Sequence, residues 1–194
     1  MEAESLTPGA TPGPPHGSSE AASNGSSNGP SPGGPAGGPE LPRFQNPDAW
    51  LLLCRTVRFG ETDAAGVMHF QQLLRWCHEA YEESLERFGI ASAAIFPTPG
   101  HAPAVALPIV HCSADYRRPL VCGDPLAIRI RAKRLDPGSF ELAYTFSSDG
   151  EEVARALTRH LAIDGVSRRR CPLPDPIQRW LEASGLQGGV RPLA

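Results

Sequence analysis

The stretch Thr62-Asp63-Ala64-Ala65-Gly66-Val67-Met68-His69-Phe70 is where residue types and spacing could do chemistry. Asp63 stands seven residues before Phe70, where a long apolar-periodic run begins. Small residues and one glycine, Gly66, lie between them, so the chain can fold back and bring the carboxylate to a helix start. The first N–H groups of a helix have no intrahelical partner and sit at the positive end of its dipole. A carbonyl held there would meet a carboxylate on one side and N–H donors on the other. That arrangement suits acyl transfer or hydrolysis. An Asp at this spacing serves as readily as a helix cap or turn residue, and the residues alone leave both uses open.

Other chemistries find less support. His78 and Glu82 have the i,i+4 spacing of a metal pair but no third ligand nearby in sequence, so no metal site is expected. Cys77-His78 and His111-Cys112 are chain neighbours, whose side chains diverge on a helix or strand, and no Ser lies in a G-x-S-x-G pattern. His69 could touch a substrate or simply pack at the helix start.

These residues need elements to position them. Trp50–Phe59 reads as a first strand. From Phe70 to Phe88, the positions Phe70, Leu73, Leu74, Cys77, Ala80, Tyr81, Ser84, Leu85 and Phe88 fall on one arc of roughly 140° at 100° per residue. This predicts one amphipathic helix of about five turns, with Gln72, Arg75, Glu79, Glu82, Glu83 and Glu86 opposite and Gly89 as its stop. Three alternating runs follow, Pro108–Tyr116, Pro125–Arg134 and Ser139–Ser147. The Asp149-Gly150 turn leads to a returning strand over Glu151–Ile163. Pro176, the Ile177/Trp180/Leu181 spacing and Gly185 mark a short C-terminal helix. A strand, a long helix and a meander of strands predict an α+β domain with the helix on one face of an antiparallel sheet.

Composition bounds the rest. Within 1–40 there are eight Pro, nine Gly, seven Ser and five Ala, and after Met1 Leu6 is the only large apolar residue. Such a stretch cannot bury enough surface to offset its ordering entropy, so a disordered tail is expected over 1–46 and one domain over 47–194. Residues 1–40 lack Lys, Arg and an apolar core segment, which argues against a secretory signal or basic transit peptide. No window approaches the ~20 apolar residues of a membrane span. Beyond residue 40, 18 basic residues face 17 acidic ones, so no nucleic-acid-coating surface is expected, and Arg168-Arg169-Arg170 reads as a solvated exit from the last strand. Five scattered Cys without a C-x-x-C pair suggest reduced, packing cysteines and a cytoplasmic protein.

The segment Arg58–Ile90, with Thr62-Asp63-Ala64-Ala65-Gly66-Val67 and then His78-Glu79-Ala80-Tyr81-Glu82-Glu83-Ser84-Leu85, resembles the hotdog-fold acyl-CoA thioesterases of the 4-hydroxybenzoyl-CoA type. Within that family it is most similar to the cyanobacterial 1,4-dihydroxy-2-naphthoyl-CoA hydrolases of phylloquinone synthesis. Arg118-Pro119 and Gly123-Asp124-Pro125-Leu126 extend the resemblance, which covers roughly Cys54–Asp164. It implies a hotdog fold, a five-stranded sheet around the Phe70–Phe88 helix, in homodimers or homotetramers. It also implies hydrolysis of an aromatic acyl-CoA, with no metal or redox cofactor. Asp63 matches the family's catalytic carboxylate, and Phe70 matches the position whose N–H polarises the thioester carbonyl, with Gly66 beside it in that role. One branch of these enzymes uses a helix-borne Glu, which makes Glu79 a second candidate against a plain pair with Arg75. Met68 and His69 depart from the family's usual apolar residue and Tyr. The turn Asp136-Pro137-Gly138 lacks the basic residues some relatives use for CoA phosphates, so that role would pass to Arg117, Arg118, Lys133 or Arg134. Two further readings of the same fold are an enoyl-CoA hydratase, marked by His69 turned onto Asp63, and a non-catalytic acyl-CoA-binding protein.

Overall fold

The computed structural model describes residues 46–185. Apart from Asn46, the tail expected to be disordered lies outside the described residues. The first element is not the strand that the apolar run Trp50–Phe59 suggests. Pro47, with φ fixed near the helical value, and Asp48 in the first turn start a short helix α1 (Asp48–Leu51), and strand β1 (Leu52–Thr56) follows. A 3₁₀ turn over Phe59–Glu61 takes up the remainder of that run.

Helix α2 (Gln72–Phe88) is the predicted long helix, begun two residues later than its apolar periodicity. Gly89 ends it in the left-handed conformation (φ 96°), with its N–H on the carbonyls of Leu85 and Glu86. Strands β2 (Val105–Ala106), β3 (Ile109–Tyr116), β4 (Pro125–Asp136), β5 (Ser139–Ser148), β6 (Glu151–Leu161) and β7 (Ile163–Asp164) follow, then helix α3 (Asp175–Gly185). Five of the strands form one antiparallel sheet in the order β1-β4-β5-β6-β3. The predicted returning strand breaks at Ala162: Ile163 and Asp164 leave the large sheet and pair with Ala106 and Val105.

Alternation decides which sheet face meets α2. Leu126, Ile128 and Ile130 on β4 and Phe140, Leu142, Tyr144 and Phe146 on β5 are buried at 2% exposure or less, as their period-2 spacing predicts. Against them pack Leu73, Trp76, Cys77, Ala80, Tyr81 and Leu85 of α2. Trp76 broadens the helix stripe beyond the predicted arc, and Gln72, assigned to the polar face, is buried at 6% exposure. Deleting any of the large aromatics here would cost about 3–5 kcal/mol. Helices α1 and α3 are tied to α2 and to each other: Trp180 Nε1 donates to Ser84 Oγ at 3.2 Å, and Trp50 Nε1 donates to Ser184 Oγ at 3.1 Å.

One core group titrates. His160 stacks on Phe140 with ring centroids 4.6 Å apart and planes 2° from parallel. Its Nδ1 lies 3.4 Å from Leu107 O, which can only accept, so Nδ1 carries the proton and Nε2 accepts from the Thr158 hydroxyl at 3.1 Å. The Tyr144 hydroxyl completes the chain on Thr158 Oγ1 at 3.2 Å. Burial lowers the pKa of His160 to about 4.

The cysteines depart from the sequence reading. Cys77 is buried, and burial pushes its thiol well up, but Cys54, Cys112 and Cys122 are exposed. Arg170 is bound rather than merely solvated: its Nη2 meets Asp136 Oδ2 at 2.9 Å and closes the β4–β5 turn. No helix among the described residues is long and apolar enough to cross a membrane.

Candidate active site at the start of helix α2

The loop that carries Asp63 is closed by its own main chain. Thr62 bridges to Met68, Asp63 N donates to Val67 O at 2.9 Å, and Gly66 N donates to Asp63 O at 2.9 Å. Gly66 has φ 78°, which an L side chain seldom adopts, so the turn requires glycine there. Its N–H is committed to Asp63 O. Gly66 therefore shapes the turn and is not an oxyanion donor, a correction to its expected role. Met68 N donates to Leu120 O at 2.7 Å, and Val67 bridges to Val121, which ties the loop to the strand-connecting segment beyond β3.

On this frame Asp63 is exposed. Its Oδ1 accepts from Ala65 N at 2.8 Å, so the plain turn role is real, but one oxygen suffices for it. Oδ2 has no protein partner among the described residues. At the helix start, His69 N donates to Glu61 O at 2.9 Å, Gln72 N donates to His69 O at 2.9 Å, and Gln71 N faces His69 Nδ1 at 3.4 Å. The N–H of Phe70, between these, has no acceptor among the described residues. An open carboxylate oxygen and an open N–H thus flank the start of α2, within one loop.

His69 does not turn onto Asp63. Its ring lies on Phe70, with centroids 4.7 Å apart, and its Nδ1 faces Gln71 N. The Asp–His pair that would mark a hydratase is not formed. Glu79 is held by Arg75 Nε at 2.7 Å and lies 3.7 Å from Arg55 Nη1, an ion-paired residue on the second turn of the helix rather than a free carboxylate. His78 Nε2 lies 2.9 Å from Glu82 Oε1, and no third His, Cys, Asp or Glu joins them among the described residues.

Sequence reasoning missed Tyr116 and Glu61. The Tyr116 hydroxyl at the end of β3 donates to Phe70 O at 2.5 Å, which fastens the edge strand to the helix start. At the other end of β3, Ile109 and His78 line a largely apolar cavity of about 450 Å³ with Phe96, Leu107 and Arg168. Strand β3 and helix α2 therefore run side by side. Ala114 and Cys112 share the face of Tyr116, and the strip between strand and helix leads from Phe70 towards the cavity. His78 is eight residues past Phe70, about 12 Å along the helix. Neither residue could be singled out from sequence, because both contacts join segments distant along the chain.

Of the two basic clusters, Arg117 and Arg118 directly follow Tyr116 and so stand near the site. Each is paired, Arg117 with Glu152 at 3.0 Å and Arg118 with Glu151 at 3.2 Å. Both arginines and Glu151 are about half exposed or more, where such bridges hold weakly and an anion can compete, while Glu152 is more enclosed. Lys133 and Arg134 lie at the far end of β4, about 26 Å of strand beyond Pro125. The loop joins the Pro125 end, because Val57 N donates to Asp124 O at 2.9 Å. Within one chain, Lys133 and Arg134 are not brought to Asp63.

Comparison with known proteins agrees with this fold. The thioesterase-like superfamily model matches residues 57–181. The chain is 66% identical over 128 residues to 1,4-dihydroxy-2-naphthoyl-CoA hydrolase of Synechococcus sp. strain RCC307, covering 66% of this chain and 98% of that protein. It is 58% identical over 144 residues to the enzyme of that name from Prochlorococcus marinus strain MIT 9303, covering 73% and 95%. Among solved structures, one from Prochlorococcus marinus strain MIT 9313 superposes with TM-score 0.71 at 57% identity, over 73% of this chain and 100% of that one. A 1,4-dihydroxy-2-naphthoyl-CoA thioesterase from Synechocystis superposes with TM-score 0.62 at 34% identity, over 68% and 94%.

Proposed function

The chain belongs to the thioesterase-like superfamily, and from that premise we propose that it hydrolyses 1,4-dihydroxy-2-naphthoyl-CoA to 1,4-dihydroxy-2-naphthoate and CoA. The observation that carries the reading is that Asp63 Oδ2 and the N–H of Phe70, at the two ends of one loop before α2, both have no partner among the described residues. The thioester carbonyl accepts from Phe70 N–H, at the positive end of α2, which stabilises the charge that develops on its oxygen. The attacking oxygen is either Asp63 Oδ2, which gives a mixed anhydride that water then cleaves, or a water deprotonated by it. In both routes the C–S bond breaks and CoA leaves as a thiolate that takes up a proton. The aromatic ring lies in the strip between α2 and β3, and the CoA phosphates meet Arg117 and Arg118. Relatives bearing this name support the substrate, a step of phylloquinone synthesis carried out in the cytoplasm.

A homodimer fits the same surface. Strand β3 is the sheet edge, with Ile109, Val110 and Tyr116 exposed, and Phe59, Phe70 and Val121 are exposed around the Asp63 loop. Uncovered apolar side chains along an open strand edge favour pairing with a second copy, with tetramers as a further step. The test of function is free-thiol release from a panel of CoA esters: 1,4-dihydroxy-2-naphthoyl, 4-hydroxybenzoyl, benzoyl and palmitoyl. The naphthoyl ester should lead by at least ~10-fold in kcat/KM, the scale of a difference in one apolar pocket. Binding of the esters without thiol release from any of them would overturn the reading in favour of a binding protein.

A further inference from the structure

Asp63 sits on a loop of small residues, and little of its own packing fixes it. Ala64, Ala65 and Gly66 are all exposed, and among the described residues the only bond to the carboxylate is that from Ala65 N. What holds the loop against α2 is Glu61, two residues before it. Glu61 Oε1 accepts from Trp76 Nε1 at 3.1 Å and from Gln72 Nε2 at 3.4 Å, and Oε2 accepts from Arg58 N at 2.7 Å. Its main-chain oxygen takes His69 N at 2.9 Å. Glu61 therefore binds both ends of the catalytic loop, Arg58 and His69, to two side chains one turn apart on the helix.

Those anchors are rigid. Trp76 is 1% exposed and Gln72 6%, both in the first turns of α2. Three N–H donors converge on the Glu61 carboxylate, and only an ionised carboxylate offers acceptors on both oxygens with no hydrogen of its own. An amide of the same shape would aim its NH₂ at one of the donors and lose that bond.

We infer that Glu61 is a positioning residue of the reaction: its carboxylate clamps the Asp63 loop to Trp76 and Gln72 and so sets where Asp63 stands relative to the Phe70 N–H. The inference rests on Asp63 being the reacting carboxylate. A small displacement of such a group costs heavily, since a 1 Å misplacement can lower turnover about 100-fold.

The experiment is a cycle of Glu61→Gln and Asp63→Asn in the full chain, with kcat and KM from thiol release and melting temperature measured for each variant. Glu61→Gln should lower kcat by about tenfold or more and leave KM within about twofold, because orientation of the attacking group acts on the transition state. In the Asp63→Asn background the same change should cost less than about twofold, since the group it positions no longer reacts. Gln72→Met, which spares Glu61 and removes one donor, is the second variant should Glu61→Gln fail to fold, and it should lower kcat in the same direction by less. Two results overturn the inference: a lowered melting temperature with unchanged kcat, or an equal loss with and without Asp63. A fully active Asp63→Asn would instead overturn the assignment of Asp63 itself.

Discussion

Asp63→Asn removes one negative charge while sparing the turn that carries it. In the folded chain the side chain makes one bond, accepted by Oδ1 from Ala65 N at 2.8 Å, and the carbonyl oxygen of Asn can accept it equally well. That places the NH₂ where Oδ2 stood, a donor at the position of the attacking oxygen. The exposed site has no desolvated partner to strand, so the melting temperature should stay within about 2 °C of wild type. Loss of a general base or nucleophile costs about 10²–10⁴ in rate. Turnover should therefore fall at least ~100-fold, about 3 kcal/mol of transition-state stabilisation. KM should change little, because the carboxylate does not bind the CoA moiety. Thiol release read with a disulfide reagent measures this, at enzyme concentrations far below substrate, since Cys54, Cys112 and Cys122 are exposed and react too. Glu79→Gln, which touches only the Arg75 and Arg55 pairs, is the matched control and should cost under about threefold. An Asp63→Asn protein that folds and turns over near the wild-type rate would refute the reasoning from open carboxylate to chemistry.

Three further outcomes are expected. Raising salt should raise KM with little change in kcat, and Arg117→Ala with Arg118→Ala should flatten that dependence, while Lys133→Ala with Arg134→Ala should not; a salt-indifferent KM in wild type would remove the arginines from CoA binding. His160 has a folded pKa of about 4 against 6.5 in the unfolded chain, so the unfolded state binds more protons between those values. Stability is then full above pH 6.5 and falls as pH drops towards 4, by about 3 kcal/mol in all, and melting curves of His160→Gln should lack that component. Tyr116→Phe deletes the bond to Phe70 O and should cost about 1 kcal/mol of stability, with a milder loss of kcat than Glu61→Gln, as melting and steady-state kinetics will report.

What could be read from the chain beforehand divides along physical lines. The alternation of Phe140, Leu142, Tyr144 and Phe146 and the stripe from Leu73 to Leu85 are repeated signals, each residue restating its neighbours' environment, and they gave the sheet face and the helix. The sequence Pro47-Asp48 carries a helix-start signal too, but one turn of helix is too short for periodicity to outweigh the apolar run that follows it. Strands β2 and β7, two residues each, have no period at all. Asp63 was legible because its place depends on local chain only, seven residues and a glycine. Glu61 was not: its value lies in Trp76, fifteen residues away, and nothing in a Glu's own neighbourhood shows which indole it will meet. The pairing of Arg117 and Arg118 with Glu152 and Glu151 follows from the β3–β6 register, Tyr116 facing Ala154, which spacing cannot supply.

The bonds that shape the Asp63 turn come from main-chain N–H groups, and those of Ala65, Gly66 and Asp63 itself are the ones used. The methyl groups of Ala64 and Ala65 face solvent and hold nothing. The loop is thus divided into a fixed skeleton and two vacant addresses that directly follow Asp63 in the chain. Side chains of many sizes can be written there without retuning the chemistry, while Gly66, at φ 78°, cannot be rewritten. Changes of acyl preference by substitution should therefore be found first at positions 64 and 65, where a new wall is added to the site and no bond that holds Asp63 is lost.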